Sequence, residues 1–221
     1  MAIHFLCAAT DAALVAGMQK NLGASTCSVW GEKSITKAYN HLAKSIGAAP
    51  EDVLCFIHQD CRLHFDWAKI IPEYFAALDV PGVLGFIGCR KITSDGRWYF
   101  ASNKCGGLIQ GRGTDINLKF SRLGEKTKTG LEYDSVDVVD GYCLFVKAKV
   151  FSVIDGFDER FVFHFYDTDL CLSALKHGFK NYAIGQKSQH YSAGDFTVKW
   201  EPLREIFQAK WLPWLKETKR E

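Results

Sequence analysis

The first 90 residues alternate between short apolar runs and segments of helical periodicity, and this alternation limits the fold more than any other feature of the 221-residue chain. Ile3–Ala9, Ser25–Trp30, Val53–Ile57 and Gly82–Ile87 read as strands. Between them, Ala12–Asn21, Ser34–Ile46 and Trp67–Leu78 read as helices, the second with apolar positions at Ile35, Ala38, Leu42, Ala43 and Ile46. A run such as Val53-Leu54-Cys55-Phe56-Ile57, apolar at every position, has to be covered on both faces. Strands of that kind separated by helices predict a parallel, doubly wound α/β sheet flanked by helices.

The second half changes character. Arg97–Phe100, Gly107–Ile109 and Ile116–Phe120 read as short β pieces of a small hairpin region. Ser121–Asp134 is charged and interrupted by glycine, and its composition predicts a mobile loop. Val136–Phe151 contains a strong strand at Tyr142–Val146, followed by a helix over 168–177, a strand Asn181–Ile184 and a C-terminal helix from Pro202. Trp200, Leu203, Phe207, Trp211 and Trp214 fall nearly on one face of that helix, with Lys199, Arg204, Lys210, Lys216, Lys219 and Arg220 around it. Packing on the domain is the expected role; the alternative is peripheral docking on a membrane surface. The expected division is a domain over 1–198, with halves at about 1–90 and 91–198, and an amphipathic helix over 199–221.

Composition narrows the setting. A net charge of +2 without a long basic block gives no general attraction to nucleic acid. The eight cysteines are scattered, with no CxxC pair, and several lie in apolar runs, which predicts reduced, buried thiols and a cytoplasmic protein. No run approaches the roughly 20 apolar residues of a membrane span, and Ile3–Ala9 is too short for a signal peptide.

Two acidic clusters carry the chemistry. His58-Gln59-Asp60 follows the apolar run ending at Ile57, where the ligand edge of an open α/β sheet falls. In extended backbone, residues i and i+2 share a face, so an imidazole and a carboxylate would point the same way. Asp60 is a hard oxygen ligand for a divalent cation bridging two phosphates, and an imidazole at His58 would suit Mn²⁺ better than Mg²⁺. The same two residues would also serve as a turn cap and a strand-end contact. The second cluster, Phe163-His164-Phe165-Tyr166-Asp167-Thr168-Asp169, is aromatic before a helix start. Asp167 is placed either as that helix's N-cap or as a base accepting the proton of an attacking hydroxyl. His190 follows the last strand and can reach the same edge. Tyr39 and Asn40 sit on the helix leaving strand two, where a nucleotide could be touched, and Gly88 would let backbone approach a ligand. Asp140-Gly141 forms the turn into the strong strand.

The order of these pieces resembles a GT-A fold glycosyltransferase of the family 2 type, in the branch where strand three ends in His-x-Asp. The matching stretches are Ala38-Tyr39-Asn40, Cys55 to Asp60, Asp140 to Phe145, Gly156 to Phe161, Phe163 to Cys171, and His190 with Gly194 after it, within about residues 30–211. The resemblance implies a mixed, mainly parallel central sheet in place of a wholly parallel one. It also implies transfer of a sugar, with inversion, from a nucleotide diphosphate sugar to an acceptor hydroxyl of a saccharide or glycoconjugate. It implies Mn²⁺ or Mg²⁺ held by Asp60, His190 and His58, and Asp167 as the base. Tyr39, Asn40, Gln59, Gly88, Asp140 and Gly141 become the positions expected along the donor. His58 departs from the first Asp of the usual DxD, and Thr10-Asp11-Ala12-Ala13 lacks the usual Pro-x-Tyr-Asn turn. Two rivals stand beside this reading. A sugar nucleotidyltransferase would want a Gly-rich, basic stretch after strand one, and Cys7–Ala16 has neither feature. A catalytically silent nucleotide-sugar or partner-binding domain has no need of Asp60, Asp167 and His190 together.

Overall fold

The computed structural model describes residues 1–23, 27–111, 116–119, 121–192 and 200–218. Ser25, Phe120, Gly194, Lys199, Lys219 and Arg220 lie outside the described residues. In chain order the elements are β1 (Ile3–Ala8), α1 (Ala12–Leu22), β2 (Cys27–Trp30), α2 (Ile35–Ser45), β3 (Val53–Ile57), β4 (Cys61–Leu63), α3 (Trp67–Ala77), β5 (Pro81–Gly85) and β6 (Ile87–Cys89). They continue with β7 (Lys104–Gln110), β8 (Ile116–Lys119), β9 (Glu125–Lys126), β10 (Glu132–Val136), β11 (Val138–Val139), β12 (Cys143–Lys147), α4 (Ala148–Val153), α5 (Tyr166–Lys176), β13 (Lys180–Ile184), β14 (Ser188–His190) and α6 (Trp200–Glu217).

The main sheet runs β2-β1-β3-β12-β5-β13-β10-β9. Strands β12 and β10 run against the others, so the sheet is mixed but mainly parallel, as the family resemblance implies, whereas the apolar runs alone predict a parallel one. Along β3, Leu54 and Phe56 enter one core while Val53, Cys55 and Ile57 enter the other. Both faces of the strand are therefore buried, which is why its sequence shows no polar alternation. Helices α2, α5 and α6 cover the first face; α1 and α3 cover the second. Asp11, Ser34 and Asp66 cap α1, α2 and α3 by accepting hydrogen bonds from first-turn amides.

A second sheet, β11-β6-β7-β14-β4, with β8 paired to β7, is entered directly from the ends of β3, β5 and β13. Here the structure corrects the sequence reading. Gly82–Ile87 is not one strand: it divides at Phe86, so β5 stays in the main sheet while β6 joins the second. Arg97–Phe100 is not a β piece but ends in a single 3-10 turn at Trp98–Phe100. Ser121–Asp134 is not a loop throughout. It holds β9 and the start of β10, which pairs antiparallel with β13 from Tyr133↔Ile184 to Val136↔Asn181. Its charges are those of strands near a sheet edge, and Asp134 is buried in an ion pair with Arg90.

The apolar face of α6 packs on the domain: Leu203, Phe207, Trp211 and Leu215 are buried at helical spacing. Among the described residues no helix is long and apolar enough to cross a membrane. Phe207 is fully buried and its ring stacks on Phe165 at 5.1 Å. Replacing it with Ala is expected to cost about 3–5 kcal/mol in urea unfolding, as removal of a buried Phe ring does. A loss below ~1 kcal/mol would mean that α6 does not share the domain's core.

Candidate active site

The first half of the site is built where β3 stops. After Ile57 the chain turns sharply, with the Cys61 amide donating to the His58 carbonyl at 3.2 Å, and re-enters as β4. The closeness of His58 and Asp60 thus comes from a turn rather than from extended backbone. β14 pairs antiparallel with β4 and sets His190 opposite Cys61. Three ligand atoms converge as a result. His58 Nδ1 lies 3.3 Å from His190 Nε2, and His190 Nε2 lies 3.3 Å from Asp60 Oδ1. All three lie within 4.8 Å of one another. The His190 ring stacks on Tyr142 at 5.0 Å and 14°, and Ser192 closes the cluster, its amide donating to Asp60 Oδ2 at 3.0 Å.

The electrostatics favour a cation here. Burial pushes the His58 imidazole down to about 3, with the neighbouring His190 adding to the effect, so His58 is neutral. Burial pushes the Asp60 carboxyl up, but His190, His58 and Ser192 outweigh it and hold Asp60 well below the usual carboxylate range. A neutral imidazole and an ionised carboxylate are the forms that bind divalent metals. One oxygen and two imidazole nitrogens suit Mn²⁺ and its neighbours better than Mg²⁺.

The second half is the start of α5. Sequence rules put Asp167 at the N-cap, but the structure corrects this: Phe165 precedes the helix in left-handed backbone, with φ of 63°, and Asp167 lies inside the first turn. Phe165 tolerates that conformation because Phe207 and Trp200 of α6 clamp its ring. Asp167 Oδ2 accepts from the Gly141 amide at 3.0 Å and Oδ1 from the Thr168 amide at 2.8 Å. The Tyr166 hydroxyl lies 2.8 Å from the Gly141 carbonyl and 2.8 Å from His58 Nε2. Gly141 is required: a Cβ there would overlap the Tyr166 hydroxyl and sit 3.0 Å from Asp167 Cβ. Asp169 faces away, accepting from Trp211 Nε1 at 2.7 Å and pairing with Lys210 at 2.7 Å, and so ties α5 to α6.

Other sequence candidates divide into two groups. Gln59 adjoins the cluster and fastens the β1–α1 turn, accepting from the amides of Thr10 and Asp11 at 2.8 and 2.9 Å. Asp140 and Gly141 adjoin Asp167. Tyr39 is fully buried among Phe56, Phe157 and Tyr166. Asn40 holds the backbone of Phe157 through both ends of its side-chain amide, Nδ2 donating to the Phe157 carbonyl and Oδ1 accepting from the Phe157 amide. Gly88 lies against the Val138 carbonyl, where a Cβ would collide. Sequence reasoning missed Tyr166, Tyr142 and Ser192, whose only signal was adjacency to Asp167, Gly141 and His190. A cavity of about 650 Å³ opens nearby between β7 and the β13–β14 turn, lined by Gly106, Gly107, Arg122, Gly185, Lys187 and Ser188 among others; neither Asp167 nor the cluster lines it.

A family model described as "Glycosyltransferase like family" matches residues 16–207. The chain belongs to this glycosyltransferase-like family. Its fold is also that of GT-A enzymes. A crystal structure of GalNAc-T7 with UDP, GalNAc and Mn²⁺ superposes with a TM-score of 0.52 at 11% identity, over 85% of this chain and 37% of that one. The chain thus spans little more than a third of that relative. A197 from STIV follows with a TM-score of 0.44 at 9% identity, over 90% of this chain and 98% of that one. A protein described as a glucose-1-phosphate thymidylyltransferase from Bacillus anthracis, in complex with sucrose, gives 0.39 at 13% identity, over 93% and 76%. No curated protein matches the chain in sequence.

In this glycosyltransferase-like domain, burial and the charge of Asp140 raise the Asp167 carboxyl to about 7, against the lowering pull of the Thr168, Gly141 and Asp167 amides. The folded chain holds that proton up to about pH 7, whereas an unfolded Asp releases it near pH 3.9, so stability falls as pH rises through that window. Asp167→Asn removes the titration. The variant's melting temperature is expected to gain on the wild type from pH 4 to about pH 7 and to level off above it. A difference independent of pH would contradict the raised carboxyl.

Proposed function

We propose that the protein transfers a sugar, with inversion, from a nucleotide diphosphate sugar to an acceptor hydroxyl. One observation carries the reading: a His58–Asp60–His190 ligand set and the carboxylate of Asp167 are linked through one turn, with Asp167 bonded to the Gly141 amide and Tyr166 bridging the Gly141 carbonyl to His58. In this reading His-x-Asp stands where related enzymes carry DxD, and Asp60, His58 and His190 hold a divalent cation, Mn²⁺ rather than Mg²⁺ by donor type. The chemistry such a cation supplies is neutralisation of charge on the departing diphosphate.

The protein's own groups do the rest. Asp167 accepts the acceptor's hydroxyl proton as that oxygen forms its bond to the anomeric carbon. The bond from that carbon to the diphosphate oxygen breaks on the opposite face, and the electron pair leaves with the diphosphate. A single displacement inverts the centre. A base with a pKa near 7 is matched to work near neutral pH. The Gly141 and Thr168 amides orient the carboxylate and stabilise its ionised form. In this reading Gln59, which is contiguous with His58 and Asp60, and Asp140 and Gly141, which adjoin Asp167, are the donor-side positions. The presence of UDP and Mn²⁺ in the GalNAc-T7 structure supports trying that pair first. The seven described cysteines are buried and unbridged, which supports a cytoplasmic setting, with glycoconjugate or surface polysaccharide synthesis as the context.

Calorimetry with UDP, GDP and dTDP tests the binding half. Binding of one diphosphate is expected to require Mn²⁺ and to be lost in Asp60→Ala. Equal affinity in EDTA would end the metal role. The catalytic half is tested by Asp167→Asn, which is expected to retain nucleotide affinity while turnover falls at least ~10²-fold. Full turnover in that variant would remove Asp167 as the base.

A further inference from the structure

Tyr166 stands at the junction of the two halves, and the mechanism above gives it no part. A tyrosine phenol, with an ordinary pKa of about 10, keeps its proton at neutral pH. A phenol has one hydrogen, and a carbonyl oxygen only accepts. With the Gly141 carbonyl at 2.8 Å, that hydrogen goes to Gly141. The phenol oxygen then presents lone pairs to His58 Nε2, also at 2.8 Å. That second contact is a hydrogen bond only when Nε2 carries hydrogen. In a neutral imidazole the other nitrogen, Nδ1, is then bare. Nδ1 is the atom that faces His190 Nε2 at 3.3 Å inside the cluster.

We propose that Tyr166 is a positioning residue that locks His58 in the Nε2–H tautomer and so presents the Nδ1 lone pair to the ligand set. The inference deepens the metal-site reading and rests on it for its purpose, but the tautomer itself is a property of the metal-free protein. The residue beside the base thereby sets the ligand state of a histidine on β3's end. The donation to Gly141 is what fixes the direction: were that carbonyl elsewhere, the phenol could donate to Nε2 and reverse the ring's protonation. Partners of this kind fix tautomer and ring orientation at metal sites, and their loss lowers metal affinity about 10–100-fold.

The test begins on wild-type protein labelled with ¹⁵N-histidine, without metal, at pH 7.5. Long-range ¹H–¹⁵N correlation spectra distinguish the two neutral tautomers, and His58→Gln assigns the His58 signals. The expected result is a protonated Nε2 and a bare Nδ1. Tyr166→Phe is expected to mix the two tautomers and to weaken Mn²⁺ binding, read by electron paramagnetic resonance, at least about tenfold. A general loss of packing would lower the melting temperature without choosing between tautomers. A protonated Nδ1 in the wild type would overturn the proposal, and this needs no variant to fold. So would Tyr166→Phe with unchanged tautomer and unchanged Mn²⁺ affinity. A Tyr166-dependent Nε2–H tautomer in a protein that binds no Mn²⁺ would uphold the positioning role and instead sink the metal reading.

Discussion

Gly141 is held at both of its backbone polar groups by one turn of α5: its amide by Asp167, its carbonyl by Tyr166. The rest of the site depends on this grip. No side chain fits at 141, because a Cβ would strike the Tyr166 ring. The strand entry and the helix start therefore dock backbone against side chain, with no adjustable layer between them. On one side of the dock Asp167 is aimed; on the other, Tyr166 reaches His58. Two loops that are far apart in sequence become one rigid object.

That rigidity has costs that are met elsewhere. Phe165 is held in left-handed backbone, a conformation of order 1–3 kcal/mol for a residue with a side chain. Packing of its ring on Phe207 and Trp200 over-determines it. Asp167 and Asp140 are buried close together, which disfavours the ionised form of Asp167. Asp169, by contrast, is neutralised by Lys210 and bonded to Trp211, so the charge on the next turn becomes a tie to α6. Helix α6 thus acts as the clamp that keeps a strained, acidic helix start in place, and its aromatic stripe is used on this contact.

The strands and helices of the first 90 residues were legible because β1 and β3 are covered on both faces and read as unbroken apolar runs. Strands β9 and β10 were not, since lysines and glutamates near a sheet edge look like a loop in composition. The closeness of Asp60 and His58 was legible, though for a partly wrong reason: a turn, not strand geometry, brings them together. That His190 joins them depends on β14 pairing with β4, a contact no local pattern encodes. Helix α5 starts one residue before Asp167 because Phe165 turns left-handed without a side-chain cap, and capping rules look for an accepting side chain. Tyr39 and Asn40 were placed on the right helix but on its buried and anchoring sides, a distinction that only packing decides.

The central proposal is that His58, Asp60 and His190 would hold one divalent cation. Anomalous diffraction at the manganese absorption edge, from crystals grown with Mn²⁺ and UDP, tests it most directly. The account predicts a single peak bounded by His58 Nδ1, Asp60 Oδ1 and His190 Nε2, with diphosphate oxygens completing the coordination. A manganese peak elsewhere, or ordered UDP with no peak among these three atoms, would contradict it.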